Sequence, residues 1–458
     1  MSRSILIAGF ALLVALPVPA HAVSVGAGPG VGPALGADGA YFTEKQALNT
    51  DLRVLGPGGR AKTLSTLLTD DDPAEDEGGG SGSATVDALG ASPNRLVFGT
   101  SGFFNKVRGF SHNISTSTPG AKPSTIASIS GDEFNGPYCG PDIGYTGFDV
   151  SGNAVAYASE EPACPFEPPP HPPENVFVAD FDAGGAPQAI ATAPAITSGV
   201  RIAGRFVAWR QATGPAPGEV VVFDRAAGAI AYSAGPVTGS IDVQEDGKLV
   251  GTGATGELVW FSPEEPVAHP VGASGIRPLL SAGRVAYLAG DDNASRLQVQ
   301  PLTGGGSPVT LAAFAGKRDT VRFDFDGTRA AWRSPGCGLE RLTLEDASTP
   351  APGGATATAP NCSPTFSRRT LRLRKGRVRV PVACSTSCAA ELSLTGGVRA
   401  ATVDATLSPG HRQTFRITKR SLKRAGRKRS VRVKLRAALT QVGGNTKVFR
   451  RSFTLRLR

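Results

Sequence analysis

A glycine-containing turn followed by a short apolar strand ending in an aromatic recurs along this chain, and no other feature constrains the fold as tightly. It stands at Gly152-Asn-Ala-Val-Ala-Tyr157, Gly204-Arg-Phe-Val-Ala-Trp209, Gly283-Arg-Val-Ala-Tyr287 and Gly327-Thr-Arg-Ala-Ala-Trp332. Weaker copies stand at Gly39-Ala-Tyr41, Asn94-Arg-Leu-Val-Phe98 and Gly247-Lys-Leu-Val-Gly-Thr252. A unit this short cannot bury its own apolar face, so neighbouring copies must stack on one another.

From Gly152 onward the glycine-to-glycine steps are 52, 43, 36 and 44 residues, near the ~40–50 residues of a four-stranded propeller blade. A further apolar strand follows each anchor, as in Asn175–Asp180, Glu219–Asp224, Glu257–Phe261 and Arg296–Gln300. These two strands read as the inner pair of a blade, apolar on both faces because both are covered. With 58 Gly and 36 Pro, the chain suits many short strands better than long helices. The reading is all-β, with a seven-bladed β-propeller over 35–346. Six blades is the alternative if the copies near Tyr41 and Phe98 share one irregular blade.

Phe148-Asp-Val-Ser-Gly152 through Tyr157, and Phe323-Asp-Phe-Asp-Gly327 through Trp332, resemble the repeat of TolB-like and WD40-like bacterial propellers. The resemblance implies a binding platform and carries no catalytic residue onto this chain.

The Pro/Ala/Thr/Gly stretch 347–360 reads as a linker, and a different surface chemistry follows it. Although the whole chain carries +10, residues 366–458 hold 25 Lys and Arg against Glu391 and Asp404 alone, a balance of +23 that leaves −13 elsewhere. Leu371, Leu373, Val378, Val380 and Val382 alternate with Arg372, Arg374, Arg377 and Arg379, and Val431, Val433 and Leu435 with Arg432, Lys434 and Arg436. Period-2 alternation of this kind puts one strand face on a core and the other in solvent. Residues 361–458 therefore read as a two-sheet sandwich, with a short helical segment at Thr418–Ala425. The pattern resembles the immunoglobulin-like domains that end many exported actinobacterial-type proteins, without the Cys and Trp spacing of antibody domains.

Cations at Arg372, Arg374, Arg377, Arg379, Lys423, Arg424, Arg427, Lys428, Arg429, Arg432 and Lys434 form a field that attracts polyanions with salt-dependent strength. The expected partner is an anionic cell-envelope polymer or acidic polysaccharide, with another envelope protein as a second candidate on the propeller. Two other uses of the charge stay open: keeping an exposed sheet soluble, or docking on the acidic propeller of the same chain.

Arg3, the apolar run Ile5–Val18 and Ala20-His21-Ala22 form a secretory signal pattern with cleavage near Ala22, so the expected location is secreted, cell-surface or periplasmic. No later stretch is apolar enough to span a bilayer. Six cysteines suit disulfides in an oxidising compartment, and proximity suggests Cys139 with Cys164, Cys337 with Cys362, and Cys384 with Cys388. No zinc, cofactor or Ca²⁺ pattern is legible; the acidic run 70–77 and the Pro-rich run 162–173 read as loop insertions.

No catalytic motif is present. His112, His171, His269 and His411 read as unpaired loop residues. The carboxylate pairs Asp324/Asp326, Asp291/Asp292 and Glu160/Glu161 read as turn residues satisfying their own backbone, and Trp209 and Trp332 as equivalent packing positions. The expectation is an exported non-catalytic binding protein. The alternative is a hydrolase or lyase acting on extracellular polysaccharide or peptide, with its site in the central funnel. Converging histidine and carboxylate groups there would favour the enzyme; a lining of Gly, Ser and Ala would favour binding.

Overall fold

The computed structural model describes residues 23–457 apart from several segments, the longest being 70–81, 133–144, 160–173, 349–361 and 418–428. The helical segment expected at Thr418–Ala425, both insertions, Cys139 and Cys164 lie outside the described residues. Those described are all-β, with no α-helix among them.

Seven four-stranded antiparallel sheets form the blades of a propeller. Every one of the seven anchors begins or overlaps the second strand of a blade, from Gly39–Lys45 in the first to Arg329–Pro335 in the last. The strand after it is the third, so the pair read from the sequence is interior to each sheet. The strand nearest the axis is a different one that precedes the anchor, such as Arg201–Ala203 or Ile241–Val243. The turn joining these two strands can require left-handed backbone at both central residues: Ala282 has φ 51° and Gly283 φ 69°. That pair of signs suits the right-handed twist of a two-residue hairpin.

The anchor aromatics carry the packing. Tyr41, Phe98, Tyr157, Trp209, Tyr287 and Trp332 are all buried, and Thr252 takes that place in the fifth blade. Seven apolar clusters occupy the seven interfaces between successive blades. Burying one Leu or Val fully is worth about 1.5–3 kcal/mol, so each interface contributes to stability only when its neighbour is in place.

Closure is made by a strand that the sequence analysis had placed outside the propeller. Val23–Ala27 forms the outermost strand of the seventh blade, antiparallel to Glu340–Asp346, with Val25 opposite Leu342. Ala27 then packs with Leu35 and Phe42 of the first blade and Leu342 of the last.

The basic region is a sheet curled around one core, in keeping with the sandwich expected from the sequence. Its eight strands are joined by hydrogen bonds into one sheet, in which Thr370–Arg374 runs parallel to the last strand, Thr446–Arg456, and turns a hairpin into Arg377–Cys384. Alternation holds as expected, with Val378, Val380, Leu435 and Leu455 inward and Arg377, Arg379, Arg432 and Arg456 outward. Cys337 pairs with Cys362, and Cys384 with Cys388. Cys337 lies between the second and third strands of the seventh blade, yet it is fully buried in the core of the basic sheet, and its carbonyl accepts the N–H of Ala389 at 2.8 Å. The covalent tie therefore leaves from the middle of the last blade, not from its end.

Candidate functional site

Strand order decides which outward cations meet. Arg374 lies opposite Arg377 across a hairpin whose turn residues, Lys375 and Gly376, have φ 49° and 71°. Arg377 lies opposite Arg416 on the next strand, and Arg372 opposite Arg456 through the parallel pairing. Like charges placed directly opposite destabilise a sheet. Here the ladder Arg374–Arg377–Arg416 carries no acid at all.

Where the sheet turns this corner, Arg372, Arg374, Lys375, Arg377, Arg379 and Arg412, with Arg456, line a groove of about 1060 Å³. Residues two apart on a strand are about 7 Å apart, so the cations stand in short rows along the groove. The two acids of the region, Glu391 and Asp404, face each other on other strands, and Glu391 is engaged by Arg436 at 2.7 Å. Among the described residues no carboxylate pairs with a cation of the groove.

Four of the eleven cations singled out in the sequence, Arg372, Arg374, Arg377 and Arg379, thus come together. Arg432 and Lys434 are exposed on Ser430–Thr440, and Arg429 just before it, outside the groove lining. Lys423, Arg424, Arg427 and Lys428 lie outside the described residues. Lys375, Arg412 and Arg456 were missed. Arg412 and Arg456 each sit on an alternating strand, but their place beside Arg372–Arg379 follows from sheet order alone.

The funnel is the second place where chemistry could reside. All seven blades contribute to an axial cavity of about 840 Å³, whose rim mixes small residues such as Ser92, Ser151, Gly152 and Ala282 with the carboxylates Glu245, Asp246 and Asp326. Below the rim three carboxylates recur on the first strands of alternate blades. Asp149 accepts the N–H of Ile202 in the next blade at 2.9 Å, Asp242 that of Leu280 at 2.6 Å, and Asp324 that of Leu35 at 2.6 Å. Asp149 and Asp324 also accept the N–H of the residue that follows each of them. The innermost strand of a blade is a sheet edge whose N–H groups need acceptors. The three aspartates supply them and tie blade to blade.

Burial raises the pKa of all three, to about 7 for Asp242 and about 6 for Asp324, with Arg201 opposing the rise at Asp149 and Asp242. Arg201 is shared, its Nε lying 4.0 Å from Asp242. One guanidinium cannot hold three half-buried carboxylates ionised together. The sequence reading of Asp326 as a turn residue agrees with its acceptance of the Thr328 and Arg329 N–H groups. Asp324 differs from that reading, because its second partner belongs to another blade.

No histidine lines either axial cavity among the described residues. His112 and His269 are on strands, not in loops: His112 lies within Gly109–Ser117, and His269 opens His269–Ser274, stacked on Trp260 with ring centroids 4.4 Å apart. His411 precedes Arg412–Arg416 and contacts Gln413, while His171 lies outside the described residues. No group of three or more His, Cys, Asp or Glu that could hold a metal occurs among the described residues, and none of their helices is long and apolar enough to cross a membrane.

No protein-family model matches the chain, and no curated protein matches it in sequence. Solved structures similar in fold include a puromycin hydrolase, at 16% identity and TM-score 0.47, covering 78% of this chain and 59% of that one. A structure from a study of two prolyl endopeptidases matches at 12% identity and TM-score 0.43, covering 91% and 53%. The extracellular domain of a putative one-component system from B. thetaiotaomicron matches at 8% identity and TM-score 0.33, covering 92% and 54%. The chain thus spans little more than half the length of these structures.

Proposed function

We propose that this is an exported binding protein whose basic sheet attaches it to an anionic polymer of the cell envelope or an acidic polysaccharide, while the propeller presents a surface to a ligand or another envelope protein. The observation that carries the reading is the unneutralised ladder Arg374–Arg377–Arg416, whose first two members line the groove with Arg372, Arg379, Arg412 and Arg456. A row of fixed cations without acids is costly to the sheet alone and favourable against a polyanion, because binding releases condensed counterions. The axial aspartates support a binding role over hydrolysis, since each is committed to backbone N–H groups and no histidine among the described residues lines their cavity. The paired cysteines accord with an oxidising compartment.

Fractionation of the producing cells tests this reading. The protein should sediment with the envelope and leave it in a salt wash without detergent. Recovery only in the soluble fraction at low salt would contradict it.

A further inference from the structure

At the opposite mouth of the channel the charge reverses. Residues of six blades enclose a second axial cavity of about 450 Å³, lined by Arg201, Arg277 and Arg322, with Asp87 the sole carboxylate among its lining residues. Each arginine stands at or near the first strand of its blade and donates one N–H to the backbone of the next: Arg201 to Ile241 at 3.2 Å, Arg277 to Val321 at 2.9 Å, and Arg322 to Gly30 at 3.0 Å. A guanidinium has five N–H donors. One bond anchors the group and leaves the rest of the fork for a ligand.

Arg201 is balanced by the three half-buried aspartates, whereas Arg277 and Arg322 have no carboxylate partner among the described residues. Arg277 also holds φ 51° within a register shift between Ile276 and Leu279. That left-handed conformation is strained for a non-glycine residue, and such strain concentrates at binding sites. Arg277 reaches the carbonyl of Val321, the residue directly preceding Arg322, and both arginines line the cavity.

We propose that this mouth binds a small molecule carrying two or more oxyanions, with Arg277 and Arg322 as the recognising residues. Planar forks match carboxylate and phosphate oxygens in paired hydrogen bonds, and the cavity falls within the ~300–1,000 Å³ of small-molecule sites. The site is separate from the basic groove, and its ligand is a small di- or tri-anion, not a polymer.

The test is calorimetric titration of the full-length protein with citrate and, separately, pyrophosphate. One-site binding of either is expected; citrate alone would identify a carboxylate ligand and pyrophosphate alone a phosphate ligand. Arg277→Gln and Arg322→Gln should each weaken it at least about tenfold, the loss of one charge-assisted pair, while the groove variant Arg374→Ser/Arg377→Ser leaves it unchanged. Arg322→Lys keeps the charge without the fork, and should bind more weakly than the parent if Arg322→Gln does not fold. Absence of binding to both anions at millimolar concentration, or binding that survives the channel variants or is lost in the groove variant, would overturn the proposal.

Discussion

The carboxylate of Asp324 accepts the backbone N–H of Leu35 at 2.6 Å, and that bond joins the innermost strand of the seventh blade to that of the first, across 289 residues of chain. Together with Val23–Ala27 on the outer rim, it closes the ring at both radii. Asp324→Ala leaves two backbone N–H groups without their acceptor, so a loss of about 1–3 kcal/mol is expected in chemical denaturation. An unchanged stability would show that the axial clasp is dispensable.

Protonation of the same clasps sets a pH dependence. A carboxyl whose folded pKa lies above its unfolded value contributes its full stabilisation below the unfolded pKa and loses it as pH rises through the folded one. For Asp242 that window runs from about 4 to about 7, and for Asp324 from about 4 to about 6. The melting temperature of the parent minus that of Asp242→Asn should therefore fall as pH rises across this window. A difference that grows with pH would mean that the ionised form is the one the fold favours.

The Cys337–Cys362 bridge closes a separation of 25 residues. Replacing both cysteines by Ser should cost about 3 kcal/mol, read by denaturation and compared with peptide mapping under non-reducing conditions. Mapping that pairs Cys337 with Cys139 or Cys164 would contradict the arrangement.

Removal of residues through Ala27 should lower the melting temperature relative to removal through Ala22. The first truncation strips the strand opposite Leu342 and Leu344 and exposes a sheet edge, whereas the second leaves that strand in place. Equal melting temperatures would place the closure elsewhere.

The blade count was legible because five of the seven anchors pair a turn glycine with a large buried side chain, a signal local to about six residues, as at Gly204–Trp209. The alternation of Val378, Val380 and Val382 with arginine foretold an outward basic face for the same local reason. What escaped was non-local. Val23–Ala27 bears no mark of its partner more than three hundred residues away. Arg412 and Arg456 joined the groove through sheet order, above all the parallel pairing of Leu371 with Leu455. The axial aspartates did leave a trace: Phe148-Asp-Val, Ile241-Asp-Val and Phe323-Asp-Phe repeat a carboxylate between apolar residues shortly before a turn glycine. Pairing Asp324 with Asp326 hid it, because one serves a turn and the other a neighbouring blade.

Affinity for heparin across a salt series tests attachment through the basic groove directly. The whole chain is the right subject, since Cys337 of the propeller belongs to the core of the basic sheet. With four or more arginines engaged, binding should weaken about a hundredfold between low and physiological salt. Arg374→Ser/Arg377→Ser should flatten that dependence and weaken binding at low salt while the melting temperature holds, because exposed charges contribute little to folding. Salt-insensitive affinity, or affinity unchanged in that variant, would contradict an electrostatic attachment through this groove.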